Sequence, residues 1–441
     1  MKYILGSIAA ILLGFIACNN HNPQPDMTIK MASYPAGADS LPQPYESKSV
    51  RNFCKVIGWP KGKTPSAPEG FVVMPFATDL ISPRNIYVAD NGDVFVAESN
   101  TEIKGLKRIG AAIIGADKAQ RLGKSPNRVT LLRDTDQDGL PDMRTIFLSN
   151  IDQPFGMLII NNYFYVAATD ALWRFPYKEG YSVITAKGEK ILDLPKGGYN
   201  NHWTRNLIAN KNKTRIYISV GSGSNAAEHG IENEIRRANI LEINPDGSGE
   251  KIYASGLRNP VGMGWAAATQ TLWTAVNERD GLGDDLVPDY ATSVKEGGFY
   301  GWPYSYFGQH EDPRLKKIQR PDLVAKAIIP DVSLGSHTAS LGLAFYDAAL
   351  FPEKYRGGMF IGQHGSWNRS ALSGYKVVFI PFANGKPSGP PEDFLTGFIA
   401  DATKEEVYGR PVNLAVTKNG AMLVADDSGH TIWMITAKEK R

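Results

Sequence analysis

Six copies of one strand–turn–strand pattern constrain the fold of this chain more than any other feature of its sequence. Each copy opens on a polar residue, continues as a short apolar strand, turns, and returns as a strand rich in aromatic and β-branched residues. The copies begin at Arg84, Gln153, Thr204, Asn259, Ser340 and Arg410. Repeats of this kind predict one closed architecture, and six of them predict an all-β fold, a six-bladed β-propeller over residues 69–441.

The turns and the composition agree with that prediction. Asn91-Gly92, Asn161-Asn162 and Asn419-Gly420 each lie between two strand-like runs, as tight hairpins require. With 42% hydrophobic residues and 48 Lys and Arg against 45 Asp and Glu, the chain is globular in composition and nearly neutral. That balance excludes intrinsic disorder and nucleic-acid binding through bulk positive charge.

The N-terminal residues are typical of a targeting signal rather than of a folded domain. Residues 1–17 hold an apolar run too short to span a bilayer comfortably, and Ala17 precedes Cys18 as in a bacterial lipoprotein signal. Residues 18–68 are rich in proline and predict a tether. We therefore expect an exported lipoprotein, anchored in a membrane by its lipid and facing the periplasm or the cell surface. The alternative is a buried N-terminal helix that ends in a free cysteine.

In a propeller, the residues that open the repeats lie around one central channel. Asn201-His202-Trp203-Thr204 would place an imidazole at its mouth, and histidine suits proton abstraction near neutral pH. An acidic run with interleaved glycines, from Glu278 to Asp289, could bind Ca²⁺, or it could be a plain surface loop.

Basic residues also gather in the repeats that form the mouth. Arg258, His337, His364, Arg369 and Arg410 predict a cationic channel that binds an anionic ligand such as a polycarboxylate. Alternatively, these residues are ion-paired with the loop acids, and the residues that open the repeats are solvated loop residues.

Five runs, RNPVG, NERDGLGDD, YGWP, HGSWNRS and GRPVNLAV, resemble the sorbosone dehydrogenase group of soluble pyrroloquinoline quinone (PQQ) dependent sugar dehydrogenases, the soluble quinoprotein glucose dehydrogenase family. The resemblance covers Gly70 to Thr436, with the runs in the family's order. It implies a six-bladed propeller with PQQ and Ca²⁺ as cofactors, a sugar substrate, and an external electron acceptor such as a cytochrome or a quinone.

The resemblance also implies roles for individual residues. His202 looks like the general base, and Arg258 and Asn259 look like the pair beside the quinone carbonyl. The residues expected to hold the cofactor are Gln153, Arg258, Asn259, His337, His364, Arg369 and Arg410. Backbone carbonyls of Asn277, Glu278 and Arg279 would bind Ca²⁺, although the Gly-Pro pair of the glucose-oxidising relatives is missing here.

The run DTDQDGLPD matches the first part of an EF-hand-like calcium loop. Its acids are Asp134, Asp136, Asp138 and Asp142, with glycine at the sixth position. The twelfth position is Thr145 rather than the bidentate glutamate, so a second Ca²⁺ site and a plain Asp-rich turn both stay open.

The sequence thus predicts a quinoprotein dehydrogenase that oxidises an aldose, an aldosulose or a similar sugar. A metal-dependent lactone hydrolase and a non-catalytic propeller that binds glycans or proteins are the alternatives.

Overall fold

A computed structural model of the chain describes residues 41–102, 115–120 and 122–438. These residues belong to one compact unit, and the predicted signal segment and lipidation site at residues 1–18 lie outside the described residues. None of the helices in the described part is long and apolar enough to cross a membrane.

Strands dominate the architecture, so the prediction of an all-β fold is confirmed. Six antiparallel sheets, named I to VI here, follow one another along the chain, and each of the six predicted repeats opens one of them. Sheet I contains Pro83–Val88, Val94–Glu98, Arg128–Arg133 and Met143–Ser149. Sheet II contains Met157–Ile160, Tyr163–Ala167, Ala171–Pro176 and Glu189–Asp193. Sheet III contains Arg205–Ala209, Ile216–Val220, Asn239–Ile243 and Lys251–Ser255, to which Gly298–Phe299 adds in parallel.

The remaining sheets repeat the arrangement. Sheet IV contains Pro260–Ala266, Thr271–Val276, Pro288–Ser293 and Val332–Ser336. Sheet V contains Ser340–Phe345, Met359–Gln363, Lys376–Ile380 and Glu392–Leu395. Sheet VI contains Pro411–Val416, Met422–Asp426 and Thr431–Ala437, and its fourth strand is Phe71–Ala77 from the other end of the domain. That antiparallel pairing joins the two ends of the described chain.

The hydrophobic core is divided among the gaps between neighbouring sheets. Phe95 of sheet I packs with Phe164 of sheet II, for example, and Ile432 of sheet VI packs in one cluster with Ile86 of sheet I. Every consecutive pair of sheets shares such a cluster. The first strands of successive sheets also contact one another, including those of sheets VI and I.

Short elements fill the connections. One short sheet has three strands, with Glu406–Val407 between Lys55–Val56 and Ile399–Asp401. Two more have two strands each, Ser305–Tyr306 with His310–Glu311 and Phe382–Ala383 with Lys386–Pro387. Pro321–Val324 is a single turn of α-helix, and the 3₁₀ turns are Ile231–Glu234, Pro313–Ile318, Glu353–Tyr355 and Ala402–Lys404.

Glycine allows the first strands of sheets V and VI to lie against each other. A Cβ on Gly342 would approach the carbonyl oxygen of Val412 to 2.3 Å, which the backbone cannot relieve by a rotamer change. We expect Gly342→Ala to destabilise the protein by about 1–3 kcal/mol or more, the range of overpacked cores. Urea unfolding measures it, with Gly197→Ala, whose Cβ meets nothing within 4 Å, as the control. Equal stability of the two variants would contradict the close contact between these strands.

The segment of residues 41–68, called the leading segment here, packs onto the sheets. Lys55–Val56 pairs in parallel with Glu406–Val407, and Cys54 is buried. The Trp59 indole donates to Asp426 at 2.7 Å and contacts Trp433 edge-on. Buried aromatic and backbone contacts therefore hold residues 41–68 against the domain, where the sequence predicts a tether; residues 18–40 lie outside the described residues.

Candidate active site

A cavity of about 540 Å³ opens where the first strands of the sheets begin, and it gathers most of the residues that the sequence singles out. Among the described residues, its polar lining consists of Arg51, Arg84, Thr101, Tyr199, Asn201, His202, Thr204, Asn225, Glu228, Arg258, Asn259, Asn277, Asp280, His364 and Arg410. Its apolar lining includes Phe155, Trp203, Val261, Leu341 and Trp367. Four arginines against two acids make the lining cationic, as the sequence predicts.

His202 lies in this cavity with one ring nitrogen fixed. Its Nδ1 lies 2.9 Å from the carbonyl oxygen of Ser222. A carbonyl only accepts, so Nδ1 carries the proton and the Nε2 lone pair is left available. Burial, reinforced by the Arg258 charge, lowers the pKa of His202 to about 3. The imidazole is therefore neutral at physiological pH, which is the form that can accept a proton.

Arg258 is buried beside His202, and its guanidinium is held by the loop that follows sheet IV's second strand. Nη1 donates to the carbonyl oxygens of Asn277 and Glu278 at 3.1 and 2.7 Å. Nη2 donates to the side-chain oxygen of Asn225 at 2.9 Å. The carbonyls of Asn277 and Glu278, which the resemblance assigns to Ca²⁺, therefore already accept hydrogen bonds from a cation.

A carboxylate–imidazole pair lies behind this loop. Nδ1 of His337 lies 3.1 Å from Asp280 Oδ1, and Nε2 lies 2.8 Å from the carbonyl oxygen of Gly283. Both partners accept, so His337 donates from both nitrogens and is an imidazolium. Although burial opposes it, the hydrogen bond to Asp280 raises the pKa of His337, and the same bond lowers the pKa of Asp280. Asp280 therefore lines the cavity as a carboxylate.

The opposite side of the cavity is built around Arg410 and Asp427. The Arg410 guanidinium donates to the carbonyl oxygens of His364 and Gly365, both at 2.9 Å, while its Nη1 is buried with no partner among the described residues. Asp427 accepts from Arg84 and, at 2.9 Å, from Nε2 of His364. Although burial opposes it, the hydrogen bond from His364 and the charge of Arg84 hold the pKa of Asp427 below its usual range. Burial lowers the pKa of His364 itself to about 3, so this imidazole is neutral at physiological pH.

Three predicted cofactor residues do not line the cavity. Gln153 begins its repeat four residues before the strand and donates to the backbone oxygen of Asn100 at 2.8 Å. Arg369 pairs with Asp285 at 2.6 Å. His337 does not line the cavity itself but is bonded to Asp280, which does. For His337 and Arg369 the structure follows the alternative in which the basic residues pair with loop acids.

The predicted metal ligands divide into two groups. Arg279 and Glu278 pair with each other in the interior at 2.9 Å, away from the cavity wall. In the DTDQDGLPD loop, carboxylate oxygens of Asp134, Asp136 and Asp138 lie within 4.8 Å of one another. Asp142 instead accepts hydrogen bonds from the backbone and hydroxyl of Thr135. The second Ca²⁺ site therefore stays a prediction. Asp134, Asp136 and Asp138 lie close enough together to share an ion, whereas Asp142 is bonded to Thr135.

Sequence reasoning missed several lining residues. Arg51 belongs to the leading segment, and Glu228 and Tyr199 belong to connections that carry no repeat signal. Trp367 is part of the run HGSWNRS, of which only the basic residues were predicted to line the channel. The aromatic residues within the runs NHWT and HGSWNRS, Trp203 and Trp367, are the signal that could have found this part of the lining.

The arrangement defines an all-β protein with a cationic cavity and a neutral, half-buried histidine. A family model described as a domain of unknown function, DUF7133, matches residues 63–366, and one described as TrAA12-like matches residues 320–438. The chain belongs to the DUF7133 family.

Two proteins and one solved structure that are similar to this chain extend the family assignment. An uncharacterized protein of Borreliella burgdorferi is 26% identical over 84% of this chain and 90% of its own length. Aldose sugar dehydrogenase YliI of Escherichia coli is 24% identical, over 42% of this chain and 52% of its own length. The PQQ domain of a pyranose dehydrogenase from Coprinopsis cinerea, solved in its holo form, superposes with a TM-score of 0.66 at 18% identity, covering 87% of this chain and all of that one. The resemblance to PQQ-dependent sugar dehydrogenases is thus confirmed at the level of the fold.

Proposed function

We propose that this protein is a PQQ-dependent dehydrogenase that oxidises an aldose- or aldosulose-type sugar, on a closed six-bladed β-propeller. The observation that carries the proposal is the joining of a neutral, half-buried His202 with three buried arginines, Arg84, Arg258 and Arg410, in one cavity. The names of the aldose and pyranose dehydrogenases among its relatives support a sugar substrate. The six core clusters between sheets support closure of the propeller.

The residues present fit a planar, polyanionic cofactor. PQQ carries three carboxylates, and the buried arginines offer charged donors for them. Nη1 of Arg410 and Nε of Arg84 are buried without a partner among the described residues, so each has a donor to give. Trp203 and Trp367 add flat apolar surface to the same walls, and the cavity volume is in the ordinary range for cofactor sites.

When bound, PQQ supplies a two-electron acceptor that takes a hydride from the sugar carbon. His202 Nε2 takes the proton of the sugar hydroxyl, so that carbon and oxygen lose one hydride and one proton and a carbonyl forms. Ser222 holds the imidazole in the required tautomer through its carbonyl oxygen. Arg258 and Asn259 lie beside His202 and provide positive charge and an amide for developing negative charge on oxygen. An external acceptor, a cytochrome or a membrane quinone, then removes the two electrons.

Calcium does not fit the predicted loop in this arrangement, because the Arg258 guanidinium occupies the carbonyls of Asn277 and Glu278. No step of the proposed reaction is therefore assigned to the ion, and Ca²⁺ in the DTDQDGLPD loop remains a prediction. Export and lipid anchoring also remain proposals that rest on residues 1–18 alone. The lactone hydrolase is less well supported, because its ion would need several carboxylates, whereas the described part of the lining offers two, Asp280 and Glu228.

Titration of purified protein with PQQ, with and without Ca²⁺ and with EDTA as the metal control, tests the proposal. We expect a rise in melting temperature, a bound-quinone absorption spectrum, and bleaching of that spectrum when sugars from an aldose panel are added. Absence of a thermal shift at stoichiometric PQQ in both metal conditions would refute the cofactor. A bound spectrum that no sugar changes would refute the substrate class.

A further inference from the structure

Arg51 lines the same cavity as His202, although it lies in the leading segment rather than in any of the six sheets. The segment reaches the cavity between two loops. Ser47 and Ser49 accept from the backbone of Asp284 and Gly283, at 2.8 and 3.0 Å. This part of the chain, predicted as a tether, is therefore a component of the cavity wall.

The neighbours of Arg51 fix its position on both sides. The carbonyl oxygen of Val50 accepts from Asn368 Nδ2 at 3.1 Å, and the backbone of Asn52 donates to Trp367 at 2.8 Å. The ring of Phe53 stacks on Trp367 with 5.5 Å between centroids. Because the backbone on both sides of Arg51 is fixed, the side chain begins at a fixed point of the cavity wall. This reduces the conformational entropy that is lost when a ligand binds.

The partners of the guanidinium groups distinguish Arg51 from the other arginines of the cavity. Arg84 pairs with Asp427, and Arg258 and Arg410 donate to backbone carbonyls inside the wall. Arg51 is exposed and makes no hydrogen bond or ion pair within residues 41–102, 115–120 and 122–438. Of these four arginines, Arg51 is therefore the one whose whole guanidinium is open to a ligand within the described part of the chain.

We propose that Arg51 binds a carboxylate of the substrate, and that the natural substrate is an acidic sugar of the uronic acid class. This inference rests on the proposed function. Guanidinium pairs with carboxylate through two parallel hydrogen bonds, a geometry that a neutral hydroxymethyl group cannot reproduce. Glucuronate and glucose differ at this group alone among the carbons, which makes them a matched pair of probes.

Calorimetric binding of glucuronate and of glucose to the protein loaded with reduced PQQ, which cannot oxidise the sugar, tests the inference, using wild type, Arg51→Gln, Arg51→Lys and the control Lys48→Gln. Lys48 is an exposed cation of the same segment that does not line the cavity. We expect Arg51→Gln to weaken glucuronate binding about 10-fold or more, the loss of a charge-assisted pair, with glucose binding unchanged. Arg51→Lys should keep part of the affinity, and Lys48→Gln all of it.

Each other outcome overturns the inference in an identifiable way. Equal effects of Arg51→Gln on glucuronate and glucose would remove the acidic-sugar assignment and leave the dehydrogenase intact. A loss of PQQ affinity in Arg51→Gln, measured by its absorption spectrum, with sugar binding unchanged, would assign the carboxylate to the cofactor instead. Failure of the wild type to bind PQQ would refute the proposed function; glucuronate binding to the cofactor-free protein, lost in Arg51→Gln, would still support an acid-binding role for Arg51.

Discussion

His202→Asn is expected to lower kcat for sugar oxidation by about 10²–10⁴-fold, the usual contribution of a positioned general base. Asparagine has an amide that can still donate toward the carbonyl of Ser222, so the fold around the cavity is preserved while the available lone pair is lost. Affinity for PQQ should change far less than kcat. Dye-reduction kinetics at saturating PQQ give kcat, and absorption titration with PQQ gives the affinity. His430→Asn, at an exposed position that does not line the cavity, is the control. A kcat close to that of wild type would assign proton removal to another group.

The same variant has an expected signature that does not depend on the cofactor. The pKa of His202 is about 3 in the folded protein and 6.5 for a free imidazole. As pH falls through 6.5 the unfolded chain takes up a proton that the folded chain refuses, so this contribution to stability is present above pH 6.5 and is lost between pH 6.5 and 3. Wild type should therefore lose more stability than His202→Asn between pH 7 and pH 4.5 in urea unfolding. Parallel losses of stability in the two proteins would contradict the lowered pKa of His202.

The strands could be predicted because their signal is local. Alternating apolar residues and asparagine-containing turns are properties of adjacent residues, and each predicted repeat opens one sheet. His202, Arg258, Asn259 and Arg410 follow from the same logic, since the beginnings of first strands lie together. His364 lies with them because the second strand of sheet V ends where its antiparallel first strand begins. Gln153 fails this test because its strand begins only at Met157, and four residues of connection carry its side chain away to Asn100.

The remainder of the site depends on which partner a side chain finds, and sequence spacing does not contain that information. Arg258 and Arg279 stand in neighbouring motifs and look alike, yet one lines the cavity and the other is enclosed with Glu278 and Asp312. His337 looked like a cofactor ligand, whereas its two acceptors make it the support of Asp280. The prediction of a tether over the leading segment differs from the structure for a related reason. The prolines of this segment are a local signal, whereas Trp59 donates to Asp426 and Arg51 lines a cavity with residues as distant as Arg410.

Arg410→Gln is expected to weaken PQQ binding about 10- to 150-fold, which corresponds to about 1.5–3 kcal/mol for a hydrogen bond to a charged group. Nη1 of Arg410 is a buried donor with no partner among the described residues, so an anionic ligand would satisfy it without displacing an existing bond. Arg410→Gln removes the positive charge and therefore the free energy that this bond contributes to PQQ binding. Absorption titration with PQQ measures the change, and Arg215→Gln, on the outside of sheet III's first hairpin where Arg215 pairs with Glu242, is the matched control.

The backbone contacts of Arg410 require a second variant. Its guanidinium also supports the loop at His364 and Gly365, so Arg410→Gln will lower the melting temperature of the cofactor-free protein to some extent. Arg410→Lys keeps the positive charge but not the fork of donors, and should bind PQQ with an affinity between those of wild type and Arg410→Gln. If both variants are destabilised equally while PQQ binds each as it binds wild type, Arg410 is a structural residue of the loop and the cofactor carboxylates are held by Arg84 and Arg258.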